Sequence, residues 1–248
     1  MKIELVGTGS IFSTSNSACS IVNGKLLVDI PNGICKSLLK SGYDLNQIGG
    51  CLITHLHGDH FFDIPFLLKG QSKKGKRETP FIIVGVEGIE EKIKELYELA
   101  FKGSWEEVKE NLSLTFIDCN HLENQEILPD MKVTSVKVEH SDKCESYGYL
   151  ISNDGLSIGF TGDARMCDGV KTLLEKSDIL GGDMSNEVGN ESHMGIDNIQ
   201  ELASSDRNKT IVATHMKTET KMLARNISMK NIVIPDDGYA IELQKVIR

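Results

Sequence analysis

The chain has 248 residues and a formal net charge of −9 at pH 7, which argues against a strongly basic nucleic-acid surface but leaves room for a small phosphorylated substrate held by metal ions. Its six cysteines are scattered without a C-x-x-C pair, a usage typical of reduced core thiols. The amino terminus lacks the order of a signal peptide, and no apolar run approaches the ~18 residues of a membrane span. We therefore expect a cytoplasmic chain with no membrane partner.

The first part of the chain alternates strand-like and helix-like segments. Asn23-Gly24 is a strong hairpin signal between two strands. The segment Gly7-Thr8-Gly9 is interpreted as a sharp turn that returns the chain antiparallel, with a phosphate-binding loop as the alternative. Pro65 is expected in the first turns of its helix or at a kink. The predicted strands are 2–6, 18–22, 25–30, 49–54, 81–84 and 112–117, and the predicted helices are 34–40, 60–69 and 87–102.

A basic segment at 69–77 carries four lysines and one arginine among glycines and polar residues. We favour a solvated connector for this segment. The alternative is a positive rim that attracts phosphate to a nearby site.

In the second part of the chain, the hydrophobic pattern predicts strands at 131–138, 147–152, 156–160, 178–180, 210–213, 231–234 and 239–243. It predicts helices at 164–176, 196–204 and 217–227. No Pro/Gly/Ser-rich linker separates the two parts, so we predict a single domain over residues 1–248. Two mixed sheets packed face to face with helices outside is the consistent α+β architecture.

The densest chemical signal follows the predicted strand at 49–54. His55, His57, Asp59 and His60 lie within six residues, on the loop that leaves this strand. A loop can wrap around an ion, because its side chains need not share one face. Imidazole nitrogen with carboxylate oxygen and no thiolate suits Zn, Mn or Fe at a hydrolytic site.

Three further candidate ligands follow predicted strands in the same way. His140 comes after the strand at 133–138, Asp163 after 156–160, and His215 after 210–213. A lone histidine at a strand end is more often structural. Repetition of the pattern beside a dense cluster favours a two-metal site at one edge of the sheets.

With these residues the chain resembles the metallo-β-lactamase fold superfamily, whose signature is H-x-H-x-D-H followed by spaced His, Asp and His. The resemblance implies an αββα sandwich and two divalent metal ions, which we expect to be Zn²⁺, with Mn²⁺ as the alternative. It implies that one ion is held by His55, His57 and His140 and the other by Asp59, His60 and His215, with Asp163 bridging them.

Within the superfamily the chain is most similar to the tRNase Z-like phosphodiesterase branch. Asp183, in Leu180-Gly181-Gly182-Asp183-Met184-Ser185, stands where that branch has the Glu of H-E-A-T, and His193 lies in a segment like G-H-S-T. The resemblance implies that His193, supported by Asp183, protonates the leaving alkoxide. Asp59 would orient or deprotonate the attacking water. Glu187 and Glu191 are candidate neighbours of this pair, and His121 is interpreted as a loop histidine.

Departures from the pattern of that branch favour a small phosphodiester over tRNA as the expected substrate. Asp163 follows His140 by only 23 positions, which leaves no room for the arm with which tRNase Z enzymes grip tRNA, and Ser15 stands where the opening loop is expected to be basic. Armless relatives with this pattern include cyclic-nucleotide phosphodiesterases and the phage-type anti-Pycsar enzymes. The resemblance therefore implies hydrolysis of cyclic nucleoside 3′,5′-monophosphates to nucleoside 5′-monophosphates.

Three alternatives stay open: a tRNA 3′-end endoribonuclease, a hydrolase of lactones, lactams or thioesters, and a metal-bearing binding module without activity. The endoribonuclease requires an RNA surface, which only residues 69–77 offer. The second alternative leaves His193 and Asp183 without a leaving-group role, and the third predicts lost ligands although every ligand position is filled. The resemblance also implies a homodimer.

Overall fold

Two seven-stranded sheets form the centre of the molecule in the computed structural model, which describes residues 1–244 without the side chain of His121. The interpretation of His121 as a loop histidine therefore concerns a side chain outside the described part. The first sheet contains β1 (Lys2–Gly7), β2 (Cys19–Val22), β3 (Leu26–Val28), β4 (Gly50–Leu52), β5 (Ile82–Gly85), β6 (Thr115–Asp118) and β14 (Tyr239–Glu242). The second contains β7 (Gln125–Leu128), β8 (Met131–Ser141), β9 (Cys144–Asn153), β10 (Leu156–Phe160), β11 (Ile179–Asp183), β12 (Thr210–Thr214) and β13 (Ile232–Val233).

Both sheets are mixed. In the first sheet the spatial order is β14-β1-β2-β3-β4-β5-β6, and β3 to β6 are parallel. In the second the order is β13-β12-β11-β10-β9-β8-β7, and β10 to β13 are parallel. The carboxyl ends of neighbouring parallel strands lie at one edge of a sheet. Polar side chains that follow β4, β10, β11 and β12 are thereby brought to the ends of their sheets.

Helices cover the outer face of each sheet. Five pack on the first sheet and three on the second. They are α1 (Ile34–Lys40), α2 (Gly58–Phe61), α3 (Ile64–Ser72), α4 (Ile89–Ala100), α5 (Trp105–Leu112), α6 (Asp168–Lys176), α7 (Ile196–Ser205) and α8 (Thr218–Ala224). None of the helices in residues 1–244 is long and apolar enough to cross a membrane.

The alternation of side chains along the short strands explains how the two sheets and the outer helices pack in layers. In β3, Leu26 and Val28 face the second sheet, whereas Leu27 packs with the helices outside. Successive side chains of a strand point to opposite faces, so both faces of a sandwiched strand must be apolar. The inter-sheet core is completed from the second sheet by Tyr149 and Ile151, both fully buried. The predicted α+β fold with an αββα sandwich is confirmed, and the single domain stays a prediction.

Several predicted boundaries are wrong for identifiable reasons. The helix predicted at 164–176 begins at Asp168, because the backbone amides of Ala164 and Arg165 donate to Asp183 and to the Glu139 carbonyl. The helix predicted at 60–69 is divided into α2 and α3, and Pro65 lies in the first turn of α3 as expected.

Two elements were not predicted from the sequence. The helix α5 presents few apolar residues, but Trp105, Val108 and Leu112 share one buried face of it. The strand β7 begins with two exposed polar residues and pairs with β8 through a register shift. Both segments are held by tertiary contacts that local periodicity does not reveal.

Candidate metal centre

The cluster after β4 occupies a loop and the first turn of a short helix. His55 leaves the strand, His57 precedes α2, and Asp59 and His60 lie within α2. His55 and His60 are fully buried, whereas His57 is exposed. The predicted loop therefore holds His55 and His57, whereas Asp59 and His60 lie in a short helix rather than on the loop.

One group of candidate ligands gathers around His57. Ligand atoms of His55, His57, His140 and Asp163 all lie within 4.8 Å of one another. His57 Nδ1 is 3.0 Å from His55 Nε2 and 3.2 Å from His140 Nε2. His140 Nδ1 donates to the Ser192 carbonyl at 2.8 Å, so Nε2 carries the lone pair that faces the other histidines. Imidazole nitrogens that converge in this way can hold a cation between them.

His140 does not follow its strand as predicted but lies inside β8, near its carboxyl end. The pairing of β8 with β9 shifts register between Val138 and Ser141, and His140 sits in this irregularity. An irregularity of this kind redirects a side chain out of the regular alternation. His140 thereby reaches the other ligands from an antiparallel strand.

A second group lies beside the first. Ligand atoms of Asp59, His60 and His215 also fall within 4.8 Å of one another. His215 Nε2 is 3.5 Å from Asp59 Oδ2. Asp163 lies between the groups, because its Oδ2 is 3.9 Å from His55 Nε2 in the first group and 3.3 Å from His215 Nε2 in the second, and its Oδ1 is 3.4 Å from His60 Nε2. This geometry agrees with a bridging position for Asp163.

Two buried atoms test whether these residues fit metal ions. His60 Nε2 and Asp163 Oδ1 have no hydrogen-bond partner among the described residues, although both are shielded from solvent. An unpaired buried polar atom is costly, and a bound cation removes that cost for a nitrogen and an oxygen alike. Nitrogen and oxygen donors without thiolate form a suitable set for divalent metal ions at a hydrolytic site.

The charges of the metal-free chain are balanced within the cluster. Burial lowers the pKa of His60, but the Asp163 and Asp29 carboxylates outweigh burial and hold the His60 pKa well above its usual range. Burial raises the pKa of Asp163, but His215 and His60 outweigh it and hold this pKa well below its usual range. The carboxylates therefore favour positive charge among buried imidazoles, and a divalent ion can take the place of the proton.

Asp29 supports both groups and was missed in the sequence analysis, which placed it inside a strand. It follows β3, and its oxygens accept from the Thr54 amide at 2.8 Å, the Thr54 hydroxyl at 2.9 Å and His60 Nδ1 at 2.8 Å. Because the Thr54 hydroxyl donates to Asp29, it must accept from His55 Nδ1, 3.0 Å away. Asp29 thus leaves Nε2 of both His55 and His60 free for an ion.

Ser185 is the second residue that the sequence analysis did not assign. Its hydroxyl lies 2.8 Å from His215 Nδ1 and 2.7 Å from Asp183 Oδ1. Since the ionised carboxylate only accepts, the hydroxyl donates to Asp183 and accepts from His215. Ser185 therefore orients His215 and joins it to Asp183.

Asp183 and His193 are in direct contact. Asp183 ends β11 with no exposed surface, and its Oδ2 is 2.8 Å from His193 Nδ1. Burial lowers the pKa of His193, but the Asp183 carboxylate outweighs this and raises it. The His193 ring stacks on His215 at 5.3 Å and lies 4.8 Å from His140. The pair is therefore next to both groups of candidate ligands, and with Asp163 and His215 it forms a third set whose ligand atoms also lie within 4.8 Å of one another.

Other sequence candidates lie away from this cluster. Arg77 donates to the Ile48 carbonyl at 3.0 Å, and Ile48 precedes β4, whereas the ligand cluster follows it. The basic segment 69–77 is thus at the opposite end of the strand, which contradicts the rim interpretation. In the opening turn, Asp237 accepts from the Thr8 amide and hydroxyl, and β1 pairs antiparallel with β2. The antiparallel return is confirmed, but it runs through residues 8–18 rather than through a sharp turn, because Gly7 still belongs to β1 and β2 begins at Cys19.

The hairpin between β8 and β9 is tight. The strands end at Ser141 and begin again at Cys144, so Asp142 and Lys143 alone connect them. Between His140 and Asp163 the chain forms only this hairpin, β10 and short turns. There is no arm in this part of the chain, all of which is described.

Comparison with known proteins places this geometry in a family. Ribonuclease Z of Clostridium tetani is 33% identical over 162 residues, which cover 60% of this chain and 50% of that protein. The chain thus spans about half the length of the curated relatives it matches. Human tRNase Z, short form, has the same fold, with a TM-score of 0.75 and 21% identity over 99% of this chain and 100% of that chain.

A diphosphatase of the PhnP family likewise shares the fold, with a TM-score of 0.72 and 19% identity over 98% of both chains. These solved structures confirm the metallo-β-lactamase fold, and the ribonuclease Z relatives agree with the tRNase Z-like branch. The profile of the family described as Anti-Pycsar protein Apyc1 matches residues 1–235. The chain belongs to the Anti-Pycsar protein Apyc1 family.

Proposed function

We propose that this chain is a metal-dependent phosphodiester hydrolase that converts cyclic nucleoside 3′,5′-monophosphates to nucleoside 5′-monophosphates. The observation that carries the proposal is the buried Asp183–His193 pair, 2.8 Å between Oδ2 and Nδ1, beside two groups of candidate metal ligands. A hydrolase of lactones or thioesters has no evident use for this pair. The family to which the chain belongs supports a cyclic nucleotide as the substrate.

In this proposal two divalent ions occupy the two groups of ligands, and Zn²⁺ is expected ahead of Mn²⁺. When bound, the ions supply hydroxide at neutral pH and neutralise charge on the phosphoryl oxygens. Asp163 lies between the groups, and its oxygens are within 3.4 Å of a nitrogen in the second group. His55, His57 and His140 would hold the first ion, Asp59, His60 and His215 would hold the second, and Asp163 would bridge them.

The proton transfers of the proposed reaction are assigned to side chains of the protein itself. Asp59 is partly exposed beside His215, in a position to orient the attacking water and accept its proton. Asp183 fixes His193 through Nδ1, which leaves Nε2 to donate a proton to the leaving 3′ oxygen. Because Asp183 raises the pKa of His193, the protonated form is favoured before transfer.

A tRNA 3′-end endoribonuclease is the second candidate, because curated relatives named ribonuclease Z and ribonuclease BN match this chain at 30–33% identity. Two observations weigh against it: the Asp142-Lys143 turn leaves no arm, and the net charge is −9. A cytoplasmic homodimer stays a prediction.

The test is a substrate panel with the purified chain loaded with Zn²⁺ or Mn²⁺. We expect hydrolysis of cyclic nucleoside 3′,5′-monophosphates and little cleavage of a pre-tRNA. Asp163→Asn is expected to abolish hydrolysis, and Asp63→Asn is the matched control, because Asp63 is also buried but contacts Cys35. Cleavage of pre-tRNA with cyclic nucleotides left intact would favour the endoribonuclease.

A further inference from the structure

A cavity of about 420 Å³ opens directly beside the candidate metal centre. One wall is the β8–β9 hairpin, which contributes His140 itself, and the other is formed by Arg165 and Glu191. Its volume falls within the roughly 300–1,000 Å³ that is usual for small-molecule sites. The proposed function so far places no part of the substrate in this cavity.

The cavity lies on the side of His193. The His140 ring is 4.8 Å from the His193 ring, and His140 Nδ1 binds the carbonyl of Ser192, the residue between Glu191 and His193. In the proposed reaction His193 gives its proton to the 3′ oxygen. In a cyclic 3′,5′-monophosphate that oxygen and the base are attached to the same ribose. When the 3′ oxygen faces His193, the cavity is therefore within reach of the nucleoside, because Glu191 lines it and is two residues from His193.

Arg165 and Glu139 present a hydrogen-bonding surface in this cavity. Arg165 Nε donates to Glu139 Oε2 at 2.9 Å, and Nη2 donates to the same oxygen. This leaves Nη1 of Arg165 as a donor and Oε1 of Glu139 as an acceptor on the same ion pair. Each nucleobase has an edge that combines donors and acceptors in its own order. A donor and an acceptor carried by one ion pair can discriminate between such edges, because a wrong base leaves one of them unpaired.

We infer that this cavity holds the nucleobase of the substrate and that Arg165, held by Glu139, is a specificity-determining residue that reads the edge of the base. The inference rests on the proposed function, since it takes the leaving oxygen to be next to His193. To that function the inference adds the residues of the chain that recognise the base.

Substitution at Arg165 is a clean test for two reasons. The backbone amide of Arg165 donates to the Glu139 carbonyl at 2.7 Å, and this bond does not depend on the side chain. The Arg165 and Glu139 side chains are 41% and 58% exposed, and exposed ion pairs contribute little to stability. Arg225 provides a matched control, because it forms a similar exposed pair with Asp236 and does not line the cavity.

The experiment measures kcat/KM of the metal-loaded enzyme for the cyclic 3′,5′-monophosphates of adenosine, guanosine, cytidine and uridine. Each value is divided by the rate of the same variant on bis(4-nitrophenyl) phosphate, an ester without a base, so that general losses of metal or fold cancel. Arg165→Gln and Glu139→Gln are each expected to change the ratio between the best and the worst base by about tenfold, the effect of one hydrogen bond to a charged group. Arg225→Gln is expected to keep the wild-type ratios.

Two results overturn the inference in different ways. If the wild type hydrolyses cyclic nucleotides and both cavity variants keep its base ratios within twofold, the base lies elsewhere and the proposed function is unaffected. If the wild type hydrolyses bis(4-nitrophenyl) phosphate but none of the four cyclic nucleotides, the proposed substrate is wrong and the inference falls with it.

Discussion

Asp29→Asn is expected to weaken metal binding although Asp29 belongs to neither group of ligands. The carboxylate accepts three hydrogen bonds and sets the proton position on His60 directly and on His55 through Thr54. An amide in its place carries one acceptor and one donor, so at least one of these donors meets another donor. His60 can then place its proton on Nε2, which would no longer be a ligand.

The magnitude follows from the buried geometry. Loss of one hydrogen bond to a charged group costs about 1.5–3 kcal/mol in the free energy of unfolding of the metal-free chain. Loss of a group that orients a metal-binding histidine lowers metal affinity by roughly 10–100-fold, or about 1.4–2.7 kcal/mol. Because Asp29 supports a histidine in each group, we expect the binding of both ions to weaken.

Competition with a chromophoric chelator measures this affinity without using catalysis. Asp63→Asn is the control, since Asp63 is 8% exposed and its carboxylate accepts from the Cys35 amide at 2.7 Å, at the start of α1. Metal affinity within twofold of the wild type in Asp29→Asn would refute the reasoning. An equal loss of metal affinity in both variants would also refute it. Replacing any buried carboxylate with an amide would then weaken metal binding, whichever residue it contacts.

Three further predictions address other parts of the molecule. His193→Gln is expected to lower kcat by about 10²–10⁴-fold with unchanged metal content, and a loss of bound metal in this variant would instead identify His193 as a ligand. Removal of metal with a chelator is expected to lower the melting temperature, because an ion at 100 times its dissociation constant stabilises the folded state by about 2.7 kcal/mol; an unchanged melting temperature on calorimetry would contradict binding at the buried cluster. Trp105→Ala is expected to destabilise the chain by about 3–5 kcal/mol in urea titration while metal affinity persists, since Trp105 is 2% exposed in the outer helical layer; a cost below 1 kcal/mol would contradict that packing.

Much of the candidate site could be predicted from the sequence, because the pattern that marks its residues is local in the chain. His55 to His60 are adjacent in the chain, and a dense set of nitrogen and oxygen donors has few explanations other than a metal. The strand-end positions of Asp163 and His215 were also predictable, because apolar strands that end in a polar residue are visible in the pattern. His140 was predicted as a metal ligand but placed in the wrong local structure, since a register shift in β8 leaves no trace in hydrophobic alternation.

What the sequence by itself determined was the set of donor atoms, the two sheets and the absence of an arm between His140 and Asp163. These follow from residue chemistry, from periodicity and from chain length. Only the tertiary structure decided that Asp29 and Ser185 fix the imidazoles and that Arg165 meets Glu139 beside the metal centre. These partners lie about 25 to 30 residues apart along the chain. Their contacts depend on how strands from different parts of a sheet come together, and no local pattern carries that information.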